Sequence, residues 1–452
     1  MKNFNLLLKT GVFSMLILMI PALAFTQSQA YKIIEDVNAD RIEKDIQKLV
    51  SFGTRHTMSE TKSDMRGIGA ARRWIKSEFE KISEACNNCL EISMQRTLEK
   101  GNAKTRITKD TEIVNVLAVK RGTKYPNRYV IMAGDIDSRV SDPLNYTDDS
   151  PGANDNASGM AGVIEAARVL SKYNFESSIL LVGLSGEEQG LYGGKHLAAK
   201  AVEEEWDIIG VLNNDMIGNI EGVDGVIDNR TFRIFSEPTN PVDTDFQKRM
   251  RRYYGGEVDG ISRQLARYVY TMTKTYMPEM NPMMIYRLDR FGRGGHHRPF
   301  CDAGFAGVRI MEAHENYNRQ HQDLRTENGI AYGDVIEGVN FDYAAKLTAV
   351  NAIALAALAS APPAPKNVKI GGTVKPSTTL AWDKVDDENL AGYKIYFRET
   401  TSPTWDNYRL VETGITEFTL EGIVIDNYIF GVASVGEDGN ESLVVFPSEV
   451  MR

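Results

Sequence analysis

Histidine and cysteine are both scarce in this chain, six and three in 452 residues, and positive charge is outnumbered. Cys86-Asn87-Asn88-Cys89 would need further ligands to hold a metal, and a thioredoxin-like redox role would need a different strand and helix context. The pair fits a short-loop disulfide made in an oxidising compartment. Cys301, left over, is expected to be buried beside Phe300. With 52 Lys and Arg against 61 Asp and Glu, the net charge is −9, which argues against nucleic acid as a partner. Acidic residues gathered at a site would instead attract a metal or a cationic substrate end. Long apolar runs are missing beyond the amino terminus, so no later segment is read as a membrane span.

The first thirty residues combine Lys2 and Lys9, an apolar run from Val12 to Ile20 and the small-residue stretch Pro21-Ala22-Leu23-Ala24. That is the layout of a signal peptide with its cleavage site. It predicts a secreted or periplasmic protein whose mature chain starts between Phe25 and Tyr31. The apolar run is too short for a comfortable span, and no cysteine lies nearby to accept a lipid.

At about 100–200 residues per domain, the length predicts two or three units. Ile42, Ile46 and Leu49 recur at helical spacing, so residues 40–50 read as an amphipathic helix, and residues 64–83 read likewise. Alternating Val114, Val116 and Ala118 mark a strand over 112–120, with further strands at 129–133, 179–184 and 208–212. A helix over 157–173 carries Met160, Ile164, Ala167 and Leu170 as one apolar stripe, read as core. Residues 249–252 read as the solvated face of a helix. The pattern predicts an α/β fold on a doubly wound, mostly parallel sheet, occupying residues 31–360 and closing with a helix over 343–358. A proline-rich linker, residues 361–366, precedes residues 367–452, whose short alternating strands predict a small all-β sandwich.

Within the larger unit Asp135, Asp155, Glu188, Asp215 and His321 form an ordered series, each at the carboxyl end of a predicted strand or in the loop after it. That edge of an open α/β sheet is where ligands bind. Any one of them alone reads as a solvated turn or a helix cap. Their recurrence, with the adjacent carboxylates of Gly186-Glu187-Glu188-Gln189-Gly190 at a strand exit, points to a metal hydrolase. One neighbour can bind metal while the other moves a proton on water.

Three blocks, Gly134-Asp135-Ile136-Asp137-Ser138, Pro151 to Gly159, and Gly186 to Gly194 with its Leu191-Tyr192-Gly193-Gly194, resemble the zinc peptidases of the M28 aminopeptidase family. The resemblance runs from roughly Arg41 to Ala356. It implies peptide substrates, Glu187 as general base, and two zinc ions bridged by Asp155. One ion would also be held by Glu188 and His321, the other by Asp215 and Asp135.

Two departures from the family stand out. Its His-x-Asp is here Asp135-x-Asp137, and like charges about 7 Å apart repel by roughly 2 kcal/mol at an effective dielectric near 20. A dication or Arg139 must offset that. Oxygen ligands also favour harder ions, so the second site is expected to be weak or to hold a divalent metal other than zinc. Where the family has Ser-Asp-His before Pro-Phe, this chain reads Gly295-His296-His297-Arg298-Pro299-Phe300. Asp and His have changed places. Either His296 faces Asp135, as partner or substitute ligand, or it is a loop histidine with no metal role.

His321, in Tyr317-Asn318-Arg319-Gln320-His321-Gln322-Asp323, resembles the family's last ligand, with His314 as its rival and Tyr317 a candidate for oxyanion stabilisation. His56, His196 and His314 read more simply as surface or packing residues. The final unit resembles a fibronectin type III domain through Trp382, Tyr393, Tyr396 and Tyr428. No chemistry is expected there; a spacer, or contact with polymer, cell surface or the catalytic unit, are its roles. Three functions are in view. They are an exported metallo-exopeptidase of aminopeptidase type, a single-zinc glutaminyl cyclase, and a binding protein on a peptidase scaffold.

Overall fold

The computed structural model describes residues 29–451; the signal-peptide reading lies outside them except at its last two residues. Strands β1 (Leu90–Glu99), β2 (Thr111–Lys120), β3 (Tyr125–Asp135), β4 (Ser177–Leu184), β5 (Asp207–Asn214), β6 (Thr231–Ser236), β7 (Asn281–Ile285) and β8 (Gly307–Glu312) form one sheet, in the order β1-β2-β4-β3-β5-β8-β6-β7. The centre, β4-β3-β5-β8, is parallel. On one side β1 and β2 run antiparallel, and on the other β6 opposes β8. With β6 and β7 also parallel, the sheet is mixed, its parallel centre flanked by antiparallel pairings. No crossover helix separates β1 from β2, and neighbours joined without one run antiparallel.

Helices α1 (Ala39–Val50), α2 (Gly67–Ala85), α3 (Gly159–Leu170), α4 (Tyr192–Glu203), α5 (Asp245–Tyr254), α6 (Ile261–Tyr276) and α7 (Phe341–Ser360) cover the sheet. The faces separate by strand alternation. Val130 and Met132 of β3 join the core built from α1, α2, α3, α6 and α7, while Tyr129, Ile131 and Ala133 join the core built around α4. Met160, Ile164, Ala167 and Leu170 are all buried, as the stripe requires. Arg249 and Arg252 of α5 face solvent as expected, while Arg251 is half-buried and paired with Asp243. α7 is long and apolar enough to cross a membrane, but 83% of its most apolar window is packed inside the protein, which makes it a core helix.

Helix α3 starts two residues later than its sequence pattern suggests, because residues 153–158 form a wider turn that carries Asp155. β3 and α3 meet almost backbone to backbone. A Cβ on Gly134 would lie 2.8 Å from the Gly159 carbonyl, so this junction admits only glycine. Cys86 and Cys89 are bonded, and Cys301 is a buried thiol.

Residues beyond 366 form two small sheets that share a core of Leu380, Trp382, Tyr393, Ile395, Phe397, Phe430 and Val432. Tyr393 meets Trp382 edge-on at 5.2 Å and accepts a hydrogen bond from the Val385 amide. This unit is docked. Asp259 receives two hydrogen bonds from Arg398, 2.9 and 2.8 Å, and one from Arg267 at 2.7 Å, all three side chains being buried. Trp405 donates to Gln264 of α6, and Lys124 pairs with Asp387. The proline-rich segment is anchored too, since the Pro362 carbonyl accepts from Arg128 and Ser434.

Substituting Asp259→Ala leaves two buried guanidiniums without a counter-charge, which should cost about 3–5 kcal/mol of stability. Urea unfolding measures it. A loss under about 1 kcal/mol, the worth of an exposed pair, would show that this cluster does not hold the two units together.

Candidate metal centre

Asp135, Glu188 and Asp215 sit at carboxyl-end exits of the central strands, Asp155 in the turn ahead of α3 and His321 in the loop beyond β8, and three of the five converge. Nε2 of His321 lies 2.9 Å from Asp155 Oδ2 and 2.8 Å from Glu188 Oε1. One potential ligand atom from each of the three falls within 4.8 Å of the others, and among the described residues no second such group of three forms. His321 adopts a φ of +54°, uncommon outside glycine and typical of positions held for function. One nitrogen and two carboxylate oxygens with an open fourth position suit a catalytic zinc site.

Asp137 positions the two glutamates. Its Oδ1 accepts from the amides of Gly186 (2.8 Å) and Glu187 (3.2 Å), and its Oδ2 from the Glu188 amide (3.0 Å) and the Thr57 hydroxyl (3.1 Å). Gly186, at φ +76°, supplies the turn that only glycine enters freely. The two carboxylates then diverge. Glu188 is gripped by Arg139, Nε to Oε2 at 2.8 Å, while Glu187 makes no hydrogen bond or ion pair through its side chain among the described residues and faces a cavity. Burial, then Glu188, Asp215, Asp135 and Asp155, raises the Glu187 carboxyl well above the ordinary range, which makes it a stronger base.

The expectation that Arg139 offsets the Asp135-x-Asp137 pair is corrected. Arg139 reaches Glu188 and His321 Nδ1 (2.6 Å) instead, and three backbone amides satisfy Asp137. Nη2 of Arg139 thus stands at Nδ1 of the ring, and Nε2 faces the two carboxylates. Burial lowers the His321 pKa, but Glu188 and Asp155 outweigh it and push the ring up to about 9.

Asp155 is set by groups that the sequence reading missed. Asp334 accepts from the amides of Asn154 (2.8 Å) and Asp155 (2.6 Å). Arg55, fully buried, ties the loops together by donating to the carbonyls of Ile136 (2.9 Å), Pro151 (2.5 Å) and Gly152 (2.9 Å). Nothing in the sequence around Arg55 marks it. Gln320 donates to Asp155 Oδ2 at 3.2 Å.

Asp135 and Asp215 do not join the three. Asp135 is buried, with Oδ1 2.5 Å from His296 Nδ1 and Oδ2 accepting from Asn156 at 2.7 Å. Of the two alternatives for His296, the partner of Asp135 is the one observed, and neither residue lines the cavity. Asp215 lies 2.9 Å from Nη2 of Arg309, a completely buried side chain on β8. Arg309 was legible only as a charge inside the apolar stretch Val308-Arg309-Ile310.

The cavity, about 630 Å³, is lined by Asp155, Glu187, Glu188, Asp215 and His321 together with Arg106, Arg139, Arg290 and Arg293. Tyr317 is exposed and is not part of the lining, so the structure lends it no oxyanion role. His314 stands 3.9 Å from Asp224 and Asp228, away from the cavity lining. His56 is buried and bonded to the Pro143 carbonyl and Gln189, and His196 pairs with Glu99.

Residues 115–336 match peptidase family M28. A protein of Pyrenophora teres f. teres described as a probable zinc metalloprotease is 40% identical over 93% of this chain and 86% of its own length. One of Leptosphaeria maculans with the same description is 40% identical over 93% of this chain and 97% of its own. The chain belongs to peptidase family M28. The crystal structure of the Legionella pneumophila LapA aminopeptidase, 17% identical, aligns with a TM-score of 0.52 over 80% of this chain and 81% of that one, which shows a shared fold. In this M28 peptidase β3 ends on Asp135, and His296 stands opposite it.

Removing the carboxylate in Asp137→Ala frees the three amides that aim Glu187 and Glu188. Metal affinity should fall about 10–100-fold, as for other groups that orient ligands, with circular dichroism unchanged. Competition against a chelator gives the number, and a change under about twofold would mean the turn holds without Asp137.

Proposed function

We propose that the protein is an exported zinc-dependent exopeptidase, an aminopeptidase that hydrolyses the first peptide bond of its substrates. The carrying observation is the convergence of Asp155, Glu188 and His321 at a cavity into which the free carboxylate of Glu187 projects. The relatives described as probable zinc metalloproteases support the metal and the reaction. The LapA aminopeptidase supports the fold alone. Export is part of the proposal through the apolar run Val12 to Ile20 and the Cys86–Cys89 disulfide.

Asp155, Glu188 and His321 would hold the ion. A zinc ion so held would polarise the scissile carbonyl and supply an acidified water. Glu187, at the cavity, is the carboxylate placed to take a proton from water and return it to the departing amine nitrogen. Its lack of a competing partner leaves it free to turn between the two transfers. Asp137 keeps the carboxylate on station through the Glu187 amide. Arg139, bound to Glu188, fixes that ligand's second oxygen.

The three-residue cluster also favours a second reading, a glutaminyl cyclase using the same single ion. The products differ: a free amino acid from an aminoacyl amide in one case, pyroglutamate in the other. Glu187 projecting into the cavity weighs against an inert scaffold. For the carboxy-terminal unit we propose a fibronectin type III-like module, supported by Trp382 packed on Tyr393, that contacts a surface or polymer while docked on the peptidase.

Substituting Glu187→Gln keeps the shape but removes the base, so turnover of aminoacyl amides should drop by about 10²–10⁴-fold while zinc binding persists. Chelator should abolish wild-type cleavage and added zinc restore it. Residual activity within tenfold of wild type in the Gln variant would reassign the base. Pyroglutamate as the product would select the second reading.

A further inference from the structure

The proposed function needs one ion, and the structure says what stands where a second would go. We infer that this chain holds a single catalytic cation and that the Arg309 guanidinium takes the place of the second. The inference rests on the metal-dependent reading above but not on the substrate.

Arg309 faces Asn213 in the β5–β8 register, and Asp215 follows two residues on, on the same face. Nη2 lies 2.9 Å from Asp215 Oδ1, and Nη1 donates to both oxygens of Asp289 at 3.2 Å and to the Gly294 carbonyl at 3.0 Å. The side chain has no exposure to solvent, and its charge is felt by Asp215, Asp289, Glu187 and Asp155. A permanent cation thus stands against Asp215 outside the cavity lining, and it would repel a dication held by that carboxylate. The other ligand of such an ion is missing as well. Both oxygens of Asp135 are taken, by His296 and Asn156, and Asp135 does not line the cavity. His296 Nε2 has no hydrogen-bond partner, yet it forms no group of three with Asp155 and Asp215. His296 and Asn156 therefore occupy the Asp135 carboxylate behind the site.

The test counts ions. Purified full chain equilibrated with excess zinc, then freed of unbound metal, should carry one zinc per chain by plasma mass spectrometry. A crystal should show one anomalous peak, among Asp155, Glu188 and His321. The folded Asp215→Asn variant should still bind one ion with affinity within about threefold of wild type. Arg309→Met, where it folds, should admit a second ion and bring the ratio toward two. Two ions in the wild type with one on Asp215, loss of the bound ion in Asp215→Asn, or a ratio fixed at one in folded Arg309→Met would each overturn the inference. Where Arg309→Met does not fold, the wild-type and Asp215→Asn counts decide. Two ions with full peptidase activity defeat only this inference; a protein with no ion and no activity defeats the proposed function.

Discussion

The site depends on one carboxylate that touches neither cavity nor substrate. Asp137 collects the amides of residues 186–188, so the strand exit of β4 becomes a rigid turn and two consecutive glutamates point to different tasks. Adjacent side chains on a regular strand would diverge too, but toward opposite faces of the sheet. The tight turn sends both into the same cavity from different angles. That is what lets one hold a cation and its neighbour stay mobile enough to carry protons.

Around this turn the protein solves a charge problem. Asp135, Asp137, Asp155, Glu187, Glu188 and Asp215 are gathered where solvent screens poorly, and all but Glu187 are answered by a nearby donor or cation. Backbone dipoles serve Asp137 and arginines serve Glu188 and Asp215. An imidazole and an amide serve Asp135. Asp155 and Glu188 share His321. Glu187 alone is left unanswered, and its basicity follows from that.

Much of this was legible in the chain. Period-2 and helical spacing located α1, α3 and the central strands to within a few residues, because those segments are buried on defined faces and hydrophobic alternation records burial. Asp155, Glu188 and His321 were legible because they recur in order in or just after predicted strands, within segments that resemble the family. The misread features share another cause. Arg55, Asp334 and Arg309 act through contacts between residues far apart in the chain, 81 positions for Arg55 and Ile136, and a single arginine or aspartate carries no local pattern that announces a distant partner. Arg139 was matched to the nearest acids in sequence, whereas a long side chain at a loop reaches across the cavity. The antiparallel flanks went unread because strand order, unlike strand existence, is not written in any one segment.

The docking of the carboxy-terminal unit has a consequence for handling the molecule. Asp259 lies just ahead of α6, and its counter-charges come from both parts of the chain, Arg267 on α6 and Arg398 beyond residue 366. A truncation after α7 would strip the α6 flank of Arg398 and Trp405 and uncover apolar surface beside it. The shortened peptidase would thus be prone to clumping, and the all-β appendage acts as a fitted lid on the enzyme's own flank, not as detachable cargo.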